Sequence, residues 1–120
     1  MTLVLPFPPA LNRYYRNVNG RTLVSRDGRA YRNTVAETLL VTHFGRGRSM
    51  PEGARIKAEI TAHVPDRRRR DLDGLLKAVL DALTHAGIYE DDSLIDDLRI
   101  VRGPLDRTNP RLVLTLEAIT

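Results

Sequence analysis

From residue 54 to 64 the chain alternates: Ile56, Ala58, Ile60, Ala62 and Val64 fall on one side, Arg55, Lys57, Glu59, Thr61 and His63 on the other. A period of two marks a strand with one face buried and one in water, and Pro65 closes it. The period then lengthens, since Leu72, Leu75, Leu76, Val79, Leu80 and Leu83 recur at the spacing of a helix with one apolar face. Gly87 is placed to cap that helix. The same spacing through Tyr31, Val35, Leu39, Leu40 and Phe44 predicts an earlier helix, opening within residues 25–28 and ending at Gly45. Residues 45–53 are too rich in Gly and Pro for regular structure and predict a surface loop. Near the start, Leu3, Val4 and Leu5 predict a short edge strand stopped by Pro6, with Phe7-Pro8-Pro9 a rigid connector. Asn19-Gly20, between Asn12-Arg13-Tyr14-Tyr15-Arg16 and Arg21-Thr22-Leu23-Val24, predicts a hairpin. Leu98 and Ile100 suggest a strand. After a turn at 104–110, residues 111–118 predict another, with Leu112, Leu114, Leu116 and Ala118 inward.

The order is β-ββ-α-β-α-β-β. It predicts an α+β fold with a mixed, largely antiparallel sheet and two helices on one side. No internal repeat interrupts it, and residues 1–120 read as a single domain of a size that supports one modest core. The absence of cysteine excludes a disulfide framework and a thiolate zinc site. The first residues lack the basic start and apolar run of a signal peptide, and no apolar run approaches the roughly 18 residues of a membrane span. A cytoplasmic location is expected.

Charge changes the picture through its distribution. Net charge is +4, yet residues 1–70 hold 14 Lys or Arg against 5 Asp or Glu, and residues 71–120 hold 5 against 10. Of the basic residues only Lys57 and Lys77 are Lys, and Arg is the better planar, bidentate partner for phosphate. The two halves meet at Asp66-Arg67-Arg68-Arg69-Arg70-Asp71-Leu72-Asp73. Four adjacent guanidinium groups repel one another unless they face a polyanion. Carboxylates beside such a strip suit a hard divalent cation, because Mg²⁺ takes oxygen ligands and is held by one or two carboxylates plus substrate oxygens. This is the pattern of a metal-dependent phosphodiester-cutting site, with Asp92 following after the helix. Two cations roughly 3.5 to 4 Å apart neutralise a phosphodiester, activate water and stabilise the leaving oxygen.

Lys77 sits one helical turn beyond Asp73, where it either acts on the phosphate or attacking water, or pairs simply with Asp73 or Asp81. Tyr14 and Tyr15, between Arg13 and Arg16, either stack on unpaired bases or pack on the sheet. Asp91 either replaces or assists Asp92. His43, His63 and His85 show no ligand spacing and are read as structural or exposed.

The Arg run and Asp-x-Asp, followed by Leu75, Lys77, Asp81-Ala82-Leu83, Ala86-Gly87 and Asp91-Asp92, closely resemble the RusA family of Holliday junction resolvases, small endonucleases often carried by prophages. Leu5-Pro6-Phe7-Pro8-Pro9 with Asn12-Arg13-Tyr14-Tyr15-Arg16 is similar to the family's opening, as are Arg21-Thr22, Val24-Ser25 and Ala30-Tyr31-Arg32, so the likeness spans most of the chain. It implies an acidic, metal-holding triad at Asp71, Asp73 and Asp92 and a catalytic lysine at Lys77. It implies Mg²⁺ as cofactor, with Mn²⁺ able to replace it, and a homodimer that cuts four-way DNA junctions by paired symmetric nicks in recombination and repair. DNA contacts are expected from Arg67, Arg68, Arg69 and Arg70 and from Asn12, Arg13, Tyr14, Tyr15 and Arg16. The chain departs from the family pattern at Ala10-Leu11, where Ser-Asn is common, and at Gly74, where Asn is common. Asp92 is expected to return to Asp73 within one chain, residues 87–92 running extended beside the helix. A partner subunit donating its own Asp92 is the alternative.

Two readings from other classes compete. A non-catalytic nucleic-acid-binding regulator explains the Arg and Tyr residues but leaves three carboxylates repelling DNA. A nucleotide-sugar transferase uses Asp-x-Asp but ordinarily needs a larger fold.

Overall fold

The computed structural model describes residues 1–43 and 50–119, with the side chains of Thr42 and His43 outside the description. In chain order the elements are β1 (Thr2–Pro6), a single helical turn α1 (Leu11–Tyr14), β2 (Tyr15–Val18), β3 (Arg21–Val24), α2 (Arg26–His43), β4 (Arg55–His63), α3 (Leu72–Ala86), β5 (Ile95–Arg102) and β6 (Arg111–Ile119). A 3₁₀ turn, Asp92–Leu94, leads into β5. The main sheet has the order β1-β6-β4-β5, antiparallel except for the parallel pair β4 and β5. β2 and β3 form a separate antiparallel hairpin.

The alternation in β4 is realised as predicted. Ile56, Ala58, Ile60 and Ala62 are buried, with Leu3 and Leu5 from β1 and Leu112, Leu114 and Leu116 from β6 on the same face. Tyr31, Val35 and Leu39 of α2 and Leu75, Val79, Ala82 and Leu83 of α3 complete that core. Two expectations at element ends fail. Leu40 is 57% exposed, because it lies one position round α2 from the stripe that Leu39 occupies, and Ala118 is exposed near the end of β6. The expected positions of Phe44, Gly45 and the loop through residue 49 lie outside the described residues. Among the described residues no helix is long and apolar enough to cross a membrane.

The hairpin turns on Asn19 and Gly20, both at positive φ (52° and 76°), the geometry that Asn-Gly favours. Its first arm is shorter than expected, since Asn12, Arg13 and Tyr14 lie in α1 instead. The junction between hairpin and α2 is close. Ser25 donates its backbone N–H to the Tyr14 carbonyl at 2.8 Å, and its hydroxyl accepts from Gly28 N–H at 3.0 Å, capping α2. A Cβ on Gly28 would stand 2.3 Å from the Tyr14 carbonyl oxygen. Gly28→Ala is therefore expected to lower stability by about 1–3 kcal/mol, overpacking outweighing the gain in helix propensity. Urea unfolding checks this, and an unchanged or higher midpoint would show that propensity has won.

α3 is the crossover between parallel strands β4 and β5, a connection that such strands require. It ends at Gly87, left-handed at φ 79°, where Gly87 N–H reaches the Thr84 carbonyl at 3.1 Å and Ile88 N–H the Leu83 carbonyl at 3.3 Å. Ile88 and Tyr89 are then buried, and the Tyr89 hydroxyl donates to the Leu80 carbonyl at 3.0 Å.

Candidate active site

The Arg run joins the end of β4 to the start of α3, and its members are not equivalent. Arg67, Arg68 and Arg69 are exposed, whereas Arg70 is half-buried. Arg70 donates to Asp66 at 2.7 Å and stands over the Phe7 ring, 5.5 Å from its centroid. Arg102, from the end of β5, donates to the Arg70 carbonyl. The hydrogen bond from Arg70, reinforced by the Arg68 backbone N–H, lowers the Asp66 pKa to about 2, so Asp66 stays ionised in neutral buffer. Phe7 and Asp66 thus hold Arg70 in place, a role that adjacency alone does not signal.

Asp71 occupies the N-cap position of α3, yet its side chain makes no capping bond. Asp73, in the first turn, accepts from Gly74 N–H at 2.9 Å. A helix N-terminus favours negative charge, which eases the placement of two carboxylates so close together. Both line an open cleft of about 1140 Å³ with Arg68, Arg69, Arg70 and Lys77. Asn12, Arg13, Tyr15 and Arg16 line it as well.

Tyr14 is not part of this lining. It is fully buried, and its hydroxyl donates to Asp81, so in this fold it has no face to offer a base. Burial, then the bond to Asp81, pushes its pKa up. Asp81 in turn receives Arg32 Nε at 2.8 Å and Nη2 at 3.0 Å. Asp81 is therefore a structural partner of α2 and α1, a pairing that sequence reasoning missed because Arg32 lies 49 positions away. Lys77 pairs with neither Asp73 nor Asp81; its Nζ stands 5.0 Å from the Tyr15 ring centroid.

Asp91 and Asp92 are distinguished by their bonds. The Asp91 carboxylate accepts from Ser93 N–H at 3.1 Å and caps the 3₁₀ turn, and the Ser93 side chain, then that backbone N–H, lower its pKa. Asp92 is exposed at the start of that turn. Its charge reaches Tyr15, whose pKa is raised first by burial, then by Asp81, with a smaller contribution from Asp92.

Asp92 does not, however, complete a metal-holding group with Asp71 and Asp73 among the described residues. The returning chain is anchored at Leu80, seven residues along α3 from Asp73, a rise of roughly 10 Å. β5 begins where Ile95 pairs with Ile56 and ends where Arg102 meets Arg70. Its seven steps at about 3.3 Å separate those ends by roughly 23 Å. Among the described residues no three His, Asp or Glu stand close enough to hold a metal ion.

The donor set nonetheless fits Mg²⁺. Asp71 and Asp73 offer hard oxygen ligands in an open, Arg-lined cleft, and Mg²⁺ is ordinarily held by one or two carboxylates and completed by substrate oxygens rather than by a protein cage. His63 Nδ1 lies 2.9 Å from the Pro104 carbonyl and His85 is exposed in the last turn of α3; His43's side chain is outside the description.

Residues 6–117 match the family model described as Endodeoxyribonuclease RusA. The chain is 47% identical over 115 residues to the crossover junction endodeoxyribonuclease RusA of Escherichia coli (strain K12), covering 96% of this chain and 92% of that protein. It is 46% identical over 114 residues to the enzyme of the same name from Enterobacteria phage 82, covering 95% and 91%. Against that of Shigella sonnei (strain Ss046) it is 45% identical over 115 residues, covering 96% and 92%.

Proposed function

The chain belongs to the RusA endodeoxyribonuclease family, and from that premise we propose that it is a Mg²⁺-dependent, structure-specific endodeoxyribonuclease that resolves four-way DNA junctions by paired symmetric nicks in recombination and repair. One observation carries the reading: two carboxylates, Asp71 and Asp73, line a cleft shared with three consecutive guanidinium groups. A non-catalytic binder has no use for acids beside its phosphate grip, because they repel DNA.

Arg67, Arg68 and Arg69 grip the DNA backbone, and Arg70, tethered by Asp66, offers a fixed cation beside Asp71 in the cleft. Asn12, Arg13 and Arg16, which line the same cleft, contact it as well, while the buried Tyr14 contacts no DNA and ties α1 to Asp81. Asp71, Asp73 and Asp92 would hold the cation, which would supply neutralisation of the phosphodiester and activation of water. Mn²⁺ can take its place. Lys77 stabilises negative charge on the phosphate. Residues 1–120 act as one domain, in the cytoplasm.

A homodimer meets two needs at once. Resolution takes two nicks, and each chain holds one Asp71–Asp73 pair. In addition, Asp92, which does not complete a metal-holding group with Asp71 and Asp73 of its own chain, is exposed and available to a twofold partner, and twofold dimers are the commonest oligomers.

A synthetic four-way junction, a duplex and a single strand, each incubated with and without Mg²⁺, test the proposal. Paired nicks in the junction alone, and only with metal, are expected. Tight junction binding with no cutting in Mg²⁺ or Mn²⁺ would make the protein a binding regulator. Arg68→Ala with Arg69→Ala is expected to weaken junction and duplex binding alike, each lost phosphate contact reducing the log-log salt slope by roughly 0.9. An unchanged slope would remove both residues from the phosphate grip.

A further inference from the structure

We propose that Tyr15 is a positioning residue for Lys77, its ring holding the ammonium group in the cleft rather than stacking on DNA. The inference rests on the reading of Lys77 as part of the cutting machinery and adds what fixes it there. A lysine four residues from an aspartate on either side of one helix ordinarily pairs with one of them. Here both are engaged elsewhere: Asp81 takes Arg32 and Tyr14, and Asp73 accepts its own neighbour's N–H. The Lys77 Nζ stands instead 5.0 Å from the Tyr15 ring centroid, within the range where a ring quadrupole attracts a cation.

The ring itself is braced. Tyr15 lies against Tyr14, centroids 4.6 Å apart, and Tyr14 meets Tyr31 edge-on at 6.3 Å. Tyr14 is fixed through Asp81 to Arg32, so α2 and α3 both support the platform. A four-carbon lysine stem carries much rotamer freedom. An ammonium resting on a braced ring loses less of it when a phosphate arrives, and is kept from collapsing onto Asp73, whose charge the metal requires.

The chain has two lysines, Lys57 and Lys77, so lysine-selective ¹³C labelling gives two ε-methylene signals. In the unmodified protein the Lys77 signal is expected to be shifted upfield by the ring current. The shift should persist in Tyr15→Phe and vanish in Tyr15→Leu, with Lys57 unmoved in both. At saturating junction and Mg²⁺, Tyr15→Leu is expected to slow single-turnover cutting about three- to tenfold, the scale of one cation–π contact, with junction affinity unchanged and Tyr15→Phe near normal. Adding Tyr15→Leu to Lys77→Ala should cost nothing further.

A Lys77 signal identical in all three proteins would overturn the proposal. So would a folded Tyr15→Leu protein that loses junction affinity but cuts at the normal saturated rate, since the ring would then be meeting bases. Failure of the underlying reading looks different: Lys77→Ala would cut normally. An inactive Lys77→Ala beside a fully active Tyr15→Leu would sink the platform alone.

Discussion

Asp71→Asn, Asp73→Asn and Asp92→Asn are each expected to lower junction cutting by well over 100-fold while leaving junction binding equal or tighter. Altering a metal's outer partners typically costs about 10- to 100-fold, and these changes remove the ligands themselves. Asn keeps the shape and a neutral oxygen but gives up the charge that Mg²⁺ prefers. Losing that charge also removes repulsion between the cleft and the phosphates. Neither Asp71 nor Asp92 caps a helix or closes a structural ion pair among the described residues, so the folds should persist. Asp91→Asn is the internal control, because the Asp91 carboxylate is engaged with Ser93. Cutting at normal rates by all three variants, in matched Mg²⁺, would remove the acidic cluster from the chemistry.

The second large effect concerns assembly. Mixing Asp73→Asn subunits with Asp92→Asn subunits is expected to restore nicking, although each variant alone is inactive. If Asp92 crosses to the partner's cleft, a mixed dimer combines both lesions in one site and leaves the other intact. Random exchange of equal amounts would make half the dimers mixed, restoring about a quarter of the sites. The restored activity should release single nicks rather than paired ones. A mixture that stays inactive, with subunit exchange verified, would return Asp92 to its own chain, and a protein that resolves junctions as a monomer would defeat the dimer altogether.

The second of these expected outcomes runs against a reading drawn from chain length. Six residues can span the distance back along a helix, so the sequence permits Asp92 to reach Asp73. Topology runs against that route. β5 runs parallel to β4 and must begin at the same end of the sheet, while Asp71 follows the opposite end of β4. Strand direction is set by pairing partners that local pattern does not reveal.

Elsewhere, the readable features were those with a period or a demanding backbone. β4 and α3 announce themselves by repeats of two and of three to four, and Asn19-Gly20 by needing positive φ. α1, a single turn, is too short to carry a period. Its end falls between Tyr14 and Tyr15, which sends one ring inward and leaves the other at the cleft. Adjacent identical residues gave no local means of telling them apart. Asp81, on one polar stripe of α3 with Asp73 and Lys77, reads from the sequence only as a candidate pair for Lys77, because its partner, Arg32, comes from a different helix.

That stripe on α3 makes length, more than composition, the quantity this helix has to keep. Asp73 opens on the cleft, Lys77 rests on Tyr15 and Asp81 ties to Arg32, each four residues from the last. One residue inserted between Asp73 and Lys77 would rotate everything beyond it by about 100° and advance it about 1.5 Å. Lys77 and Asp81 would then leave their partners together, though every side chain remained present. Related chains can therefore trade residues along α3 far more readily than they can gain or lose one, and gaps belong in the loops on either side of it.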